Sequence, residues 1–229
     1  MNSSGYAVCF EDIISYLSRI LPHSEVIEQS LRMQVTIYPN RALRELLANA
    51  LIHQDFSVTG AGPIIEIFDN RIEFINPGSL LPNKQIDRLI GTAPESRNEV
   101  LASAFRRYNI CEERGTGLQK VITDVELFSL PPVTFMVLDN AFRVVLYSPR
   151  KFEKMSQTER IEACYQHAVL QYLSHQTLTN TTLRQRFKVS EKQRNQITNI
   201  IADTVNLGRV KRKSQSIGNK FAEYEPYWV

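Results

Sequence analysis

Residues 38–56 read YPNRALRELLANALIHQDF, and the spacing within them decides the domain around them. Pro39 and Asn40 open a helix, a common pairing at a first turn. Leu43, Leu46, Leu47, Ala50 and Leu51 recur at helical intervals and supply an apolar face. Glu45, Asn49 and His53 follow at four-residue steps, about 400° of rotation each, so they stack along one stripe. A carboxylate, an amide and an imidazole on one stripe beside a core face can serve a bound ligand. A solvated helix face shows the same spacing, so spacing alone leaves both readings open.

The pattern E-x-x-x-N-A-x-x-H, followed by the acidic–aromatic pair Asp55-Phe56, resembles the N-box of the GHKL ATPases, the class of gyrase B, histidine kinases and MutL. It is closer still to the C-terminal ATPase-like domain of Schlafen/AlbA-type transcriptional regulators, a branch often labelled RecG-related. Downstream residues are ordered as that resemblance requires. Residues 63–68 and 71–75 read as strands joined at Asp69-Asn70, a good two-residue hairpin turn. The second strand runs into Asn76-Pro77-Gly78, where the wider class has an Asp that binds the adenine amino group. Asn76 can both donate and accept a hydrogen bond, but it lacks the charge-assisted bond of a carboxylate. A structural Pro-Gly turn explains the same three residues.

Residues 81–113 stand where the resemblance puts a nucleotide lid. Lys84, Arg97, Arg107 and Arg114 are the cations there that could reach phosphates, although surface Lys and Arg are usually only solvated. Gly115-Thr116-Gly117-Leu118 then resembles the second glycine box. Glycine lets backbone N–H groups turn inward toward phosphate, and the following helix N-terminus adds partial positive charge. No G-x-x-x-x-G-K-[ST] loop occurs, which argues against a helicase motor. Residues 133–138 and 141–147 alternate as two more strands around Asp139-Asn140 and would complete an antiparallel sheet. The expectation is an α+β chain whose main domain is a GHKL-type α/β sandwich, with helices on one face of a mixed sheet.

The resemblance implies ATP, with Mg²⁺ held by Asn49 and bridging the phosphates. It makes Glu45 the general base for the attacking water, with slow turnover or binding alone. His53 would orient a phosphate or simply pack. Asn76, Gly78, Gly115, Thr116, Gly117 and Leu118 complete the implied nucleotide contacts.

Ser156-Gln-Thr-Glu159 is a capping-box pattern. Helices are expected over 161–174, 179–187 and from about 191 to 206, ended by Gly208. Residues 209–213 and 220–224 form a basic hairpin. Three helices and a hairpin make a winged helix, and residues 178–193 resemble the one that closes many members of the regulator branch. Residues 158–229 carry eleven Lys and Arg against six acidic residues, a surplus of five positive charges, while the first 157 residues are slightly acidic. DNA is the partner this implies. Lys192, Arg194, Asn195, Gln196 and Asn199 would face bases and phosphates. Arg209, Lys211, Arg212, Lys213 and Lys220 would sit over the backbone. Winged helices also serve protein contacts.

The expected organisation is therefore 1–37 lead-in, 38–150 ATP-binding domain, 151–157 linker and 158–229 winged helix. The lead-in carries a helix over 10–21 and a strand over 31–37. A Schlafen/AlbA domain usually precedes this point in the branch and is absent here, so the chain reads as a fragment or a short relative. With 43% hydrophobic and 22% charged residues the 229-residue chain is ordinary for a soluble protein. No apolar run approaches the ~18–20 residues of a membrane span. Cys9, Cys111 and Cys164 are too few and too dispersed for a disulfide framework and fit a reducing cytoplasm. Two functions stand: a nucleotide-responsive transcriptional regulator with weak or no ATPase activity, or a scaffold, a homodimerising one included, that has lost nucleotide and carries the winged helix.

Overall fold

The computed structural model describes residues 5–28, 31–111, 115–213 and 222–229. The chain divides into two compact units, Met1–Asp124 with Val133–Ser148, and Val125–Pro132 with Pro149–Val229.

The first unit is built on a four-stranded sheet of order β3-β4-β6-β5. Its strands are β3 (Ile64–Phe68), β4 (Arg71–Pro77), β5 (Thr134–Leu138) and β6 (Ala141–Tyr147). Every pairing in it is antiparallel, as expected of residues 133–138 and 141–147 completing the sheet, which corrects the mixed character expected of the sandwich as a whole. The cause is local: Asp69-Asn70 and Asp139-Asn140 close two hairpins, and the hairpins meet along β4 and β6 in antiparallel register from Arg71↔Tyr147 to Pro77↔Ala141. Phe74 and Asn76 lie opposite Val144 and Phe142 in that register, so the four side chains share one face.

Helix α2 (Asn40–Ile52) is shorter than the 38–56 stretch that announced it. It buries Leu43, Leu46, Leu47, Ala50 and Leu51, the face its spacing demanded, together with Ala42, Ala48 and Ile52. His53 closes it in a non-helical conformation. The carbonyls of Ile52 and Gln54, left without helical partners, accept from Asn98 Nδ2 at 2.8 and 2.7 Å. Helix α1 (Tyr6–Ile20) belongs to the same core. Its Phe10 is fully buried and meets Phe105 of α3 (Glu99–Arg107) edge-on at 5.7 Å. Arg44 donates two 2.7 Å bonds to Glu11. Between α1 and α2 runs a two-stranded antiparallel ribbon, β1 (His23–Glu28) with β2 (Leu31–Thr36). Helix α4 (Gly117–Leu127) follows α3, and the division between the units falls inside it, after Asp124.

In the second unit, α5 (Gln157–Leu173), α6 (Asn180–Phe187) and α7 (Arg194–Asn206) precede β7 (Val210–Arg212) and β8 (Tyr224–Pro226). The Ser156–Glu159 capping box forms as its sequence indicated: Glu159 N–H donates to Ser156 Oγ, and Ser156 N–H donates to Glu159 Oε2. Leu178, Leu183, Ile197, Ile200, Ile201 and Val210 are buried, each worth about 1.5–3 kcal/mol relative to exposure. The buried Arg186 guanidinium donates to Leu130 O at 2.9 Å and lies 3.4 Å from Glu126, which also holds His167 Nδ1. Residues 125–132 thus belong to this unit, with Val125 and Leu130 buried and Leu127 and Phe128 exposed.

Candidate functional site

A cavity of about 500 Å³ opens in the first unit between α2, the helix-side face of β4 and β6, and residues 79–99. It falls in the ~300–1,000 Å³ range of small-molecule pockets. The polar stripe of α2 enters its wall as Glu45, Asn49 and His53, and Asn76 lines it from β4. Gly115, Gly117 and Leu118 line it from the start of α4. Helical rotation thus lets three residues spread over nine positions share a wall with a glycine turn some seventy residues later.

The glycine turn touches the stripe directly. A Cβ built on Gly117 would lie 2.7 Å from Glu45 Oε2 and 3.8 Å from Asn49 Nδ2. Gly115 has φ +64°, and a Cβ there would meet Pro94 at 3.0 Å. Backbone N–H groups at a helix start are aimed outward and unsatisfied by the helix, so the turn presents donors beside a carboxylate and an amide. Glu45 is half-buried against Lys120, one turn into α4, at 3.5 Å from Nζ. Thr116 opens that turn by accepting from Lys120 N–H.

Gly78 plays another part. It is not among the cavity-lining residues; its φ is +96°, its N–H donates to Asn140 O, and a Cβ would stand 2.6 Å from Asp55 Cβ. The glycine of the NPG turn therefore seats Asp55 beneath the turn. Asp55 in turn holds Ser57 through its N–H and hydroxyl, which keep its carboxyl below the usual range.

Residues 79–98 are tied to the end of α2 by Arg97. Its guanidinium donates to His53 O, Asp55 Oδ2 and Ser79 O at 3.1, 3.3 and 2.5 Å. Lys84 donates to Ala93 O and Thr92 Oγ1. Both cations line the cavity and both already have partners, Lys84 within its own segment and Arg97 mainly at the end of α2. Arg107 is instead on the outer side of α3, away from the cavity wall, and Arg114 lies outside the described residues. Burial, then the charges of Arg97 and Lys84, push the His53 imidazole down to about 4, so it is neutral at pH 7. Burial likewise raises Cys111, another lining residue.

Sequence reasoning missed Asn98, Lys120 and the Arg97–Asp55 pair. The one available signal was Lys120 three residues into a helix beginning at Gly117, a poor place for a cation unless an anion faces it.

In the second unit Lys192, Arg194, Asn195, Gln196, Asn199, Lys211 and Arg212 are exposed and Lys213 partly so. Arg209 turns inward: its guanidinium stacks 4.0 Å from the Tyr165 ring centre and pairs with Glu162 at 3.0 Å. Lys220 lies outside the described residues.

Residues 60–146 match a family model described as "Putative ATP-dependent DNA helicase recG C-terminal". That span holds β3 through β6, Asn76 and the glycine turn, so the similarity to an ATPase-like domain family lies in the sheet of the first unit. Nucleotide binding in general is what the match suggests. Among solved structures, the chain is similar in fold to the DIP2311 protein from Corynebacterium diphtheriae, with a TM-score of 0.57 and 15% identity. The likeness covers 85% of this chain and 41% of that one, so the chain spans less than half of its structural relative. No curated protein matches the chain. No helix among the described residues is long and apolar enough to cross a membrane.

Proposed function

We propose that this protein is a nucleotide-responsive transcriptional regulator, in which a GHKL-like ATP-binding sandwich controls a DNA-binding winged helix. The observation that carries the reading is the meeting of Glu45, Asn49, Gly115 and Gly117 around one cavity. A carboxylate, an oxygen-bearing amide and a glycine-relaxed helix N-terminus are what a triphosphate with a hard cation needs.

The donor set fits Mg²⁺ arriving with the nucleotide. No group of three or more His, Cys, Asp or Glu able to hold a metal ion exists among the described residues. Mg²⁺ commonly takes one or two protein oxygens, waters and substrate phosphates. When bound, it neutralises charge on the phosphates. Asn49 would hold it, Glu45 would take the proton of the attacking water, and Lys120 keeps that carboxylate oriented. The N–H groups of 115–118 would bind phosphate oxygens. Asn76 would meet the base, and neutral His53 packs beside it. In the second unit, three helices, a two-stranded ribbon and the local positive charge support DNA as the partner.

Calorimetry with MgATP on the wild type and Asn49→Ala tests the first half. Micromolar binding abolished by Asn49→Ala is the expected result; no binding at millimolar nucleotide sinks it. A specific observation favours the second reading, a scaffold without nucleotide: an amide replaces the adenine-binding carboxylate at 76. On that reading, calorimetry is silent and light scattering shows a homodimer.

A further inference from the structure

We infer that α7 reads the major groove of A·T-containing DNA, through an amide face that carries no guanine-reading charge. This rests on the DNA-binding reading of the second unit and adds to it the class of sequence recognised.

Between Arg194 and Asp203, α7 has no charged residue. Its exposed positions there are Asn195, Gln196, Thr198, Asn199 and Ala202, whereas Ile197, Ile200 and Ile201 are buried in the unit's core. Asn195, Asn199 and Ala202 follow at i, i+4, i+7 and form one stripe, with Gln196 beside it. The amides of Asn195, Gln196 and Asn199 make no hydrogen bond to the described residues. They are therefore available to an external partner with paired donor and acceptor groups. Thr198 differs: its hydroxyl donates to Arg194 O and accepts from Asn180 Nδ2, so it offers its methyl.

The arginines nearest this stripe already have carboxylate partners. Arg184 is bound by Glu191 at 2.7 Å and by Asn180 at 2.9 Å, and Arg194, at the helix start, shares the same Glu191. Asp203 at the other end accepts from Gln157. In the major groove, guanine is read by Arg or Lys at O6 and N7, and adenine by the bidentate amide of Asn or Gln at N6 and N7. The thymine methyl takes apolar contacts such as Ala or a Thr methyl. An exposed stripe of amides and methyls therefore complements A·T pairs. From Asn195 to Ala202 the stripe runs roughly 10 Å, about three base-pair steps at ~3.4 Å each. Charge complementarity comes from the flanks: Lys192 and Arg212 are exposed and the surplus over 158–229 is positive.

The test is fluorescence anisotropy of the full chain on two labelled 24-base-pair duplexes of equal length. One has a mixed A/T core without A-tracts, the other a G·C core. We expect at least about tenfold tighter binding to the first. Replacing its adenines by 7-deazaadenine, which lacks the N7 acceptor, should remove that preference. Gln196→Ala with Asn199→Ala should level the two affinities with the melting temperature unchanged, both side chains being exposed. Lys192→Ala should weaken both duplexes alike and flatten the salt dependence by about one unit of slope. Equal binding of the wild type to both duplexes, or preference for G·C, overturns the A·T inference while leaving DNA binding intact. Binding to neither overturns both.

Discussion

Two glycines that look alike in sequence are fixed by opposite demands, and substitution separates them. At Gly78 an alanine meets both a positive φ and the Cβ of Asp55, an atom held at the backbone. Gly78→Ala should cost 2 kcal/mol or more, on the order expected for left-handed strain plus a contact that cannot yield, read as a fall in melting temperature. At Gly117 the obstacle is the far end of the Glu45 side chain, which can rotate. Gly117→Ala should leave thermal stability within about 1 kcal/mol while weakening MgATP at least tenfold in calorimetry. His53 supplies a pH signature. Its folded value near 4 lies below the ordinary 6.5, so the unfolded chain binds the extra proton between those values. Stability from this group is complete above about pH 7 and drains as the solution is acidified toward pH 4. The loss is on the order of 2–3 kcal/mol. Urea melts of His53→Gln against wild type at pH 7.5 and 4.5 measure it; a variant as acid-sensitive as the parent would remove His53 from the account.

The end of α2 depends on residues that its own sequence never mentions. Asn98→Ala strips the acceptor groups of Ile52 and Gln54 of their donor, and a loss of about 1–3 kcal/mol follows from two part-buried carbonyls left unpaired. Hydrogen exchange would show it as faster exchange confined to 49–55. Ser156→Ala at α5 should cost about 1 kcal/mol, because the capping box there is local and complete. The contrast marks what a sequence can disclose. The capping box, the apolar face of α2 and the Asp-Asn hairpins involve residues within a turn or two of one another, so periodicity and turn chemistry reveal them. The cavity wall was legible only through the order of boxes borrowed from a resemblance. The Arg97–Asp55 pair spans 42 positions, and no periodicity connects them. Strand β1 went unread because HSEVIE lacks alternation. The antiparallel pairing followed from hairpin turns that were in plain view, and it is the mixed character expected of the whole sandwich that those hairpins leave no room for.

At the scale of the whole molecule, the second unit is not a contiguous piece of chain. Residues 125–132 contribute Glu126 and Leu130 to the buried Arg186. A fragment cut at 149, which looks natural from the linker composition, leaves that guanidinium buried and without those partners. A loss of roughly 3–5 kcal/mol is expected for it, so residues 149–229 alone should melt well below the corresponding transition of the full chain. Arg186→Met in the fragment should recover part of the difference. The same discontinuity has a meaning in time. During synthesis residues 125–132 emerge before β5 and β6, whose pairing completes the first unit's sheet. Leu130 must wait for Arg186, 56 residues behind it. At roughly 5–20 residues per second that interval is about 3–11 s. Leu127 and Phe128 stay exposed even in the native fold, so Val125 and Leu130, both buried in the finished protein, are the apolar side chains that a ribosome-associated chaperone would meet during that interval.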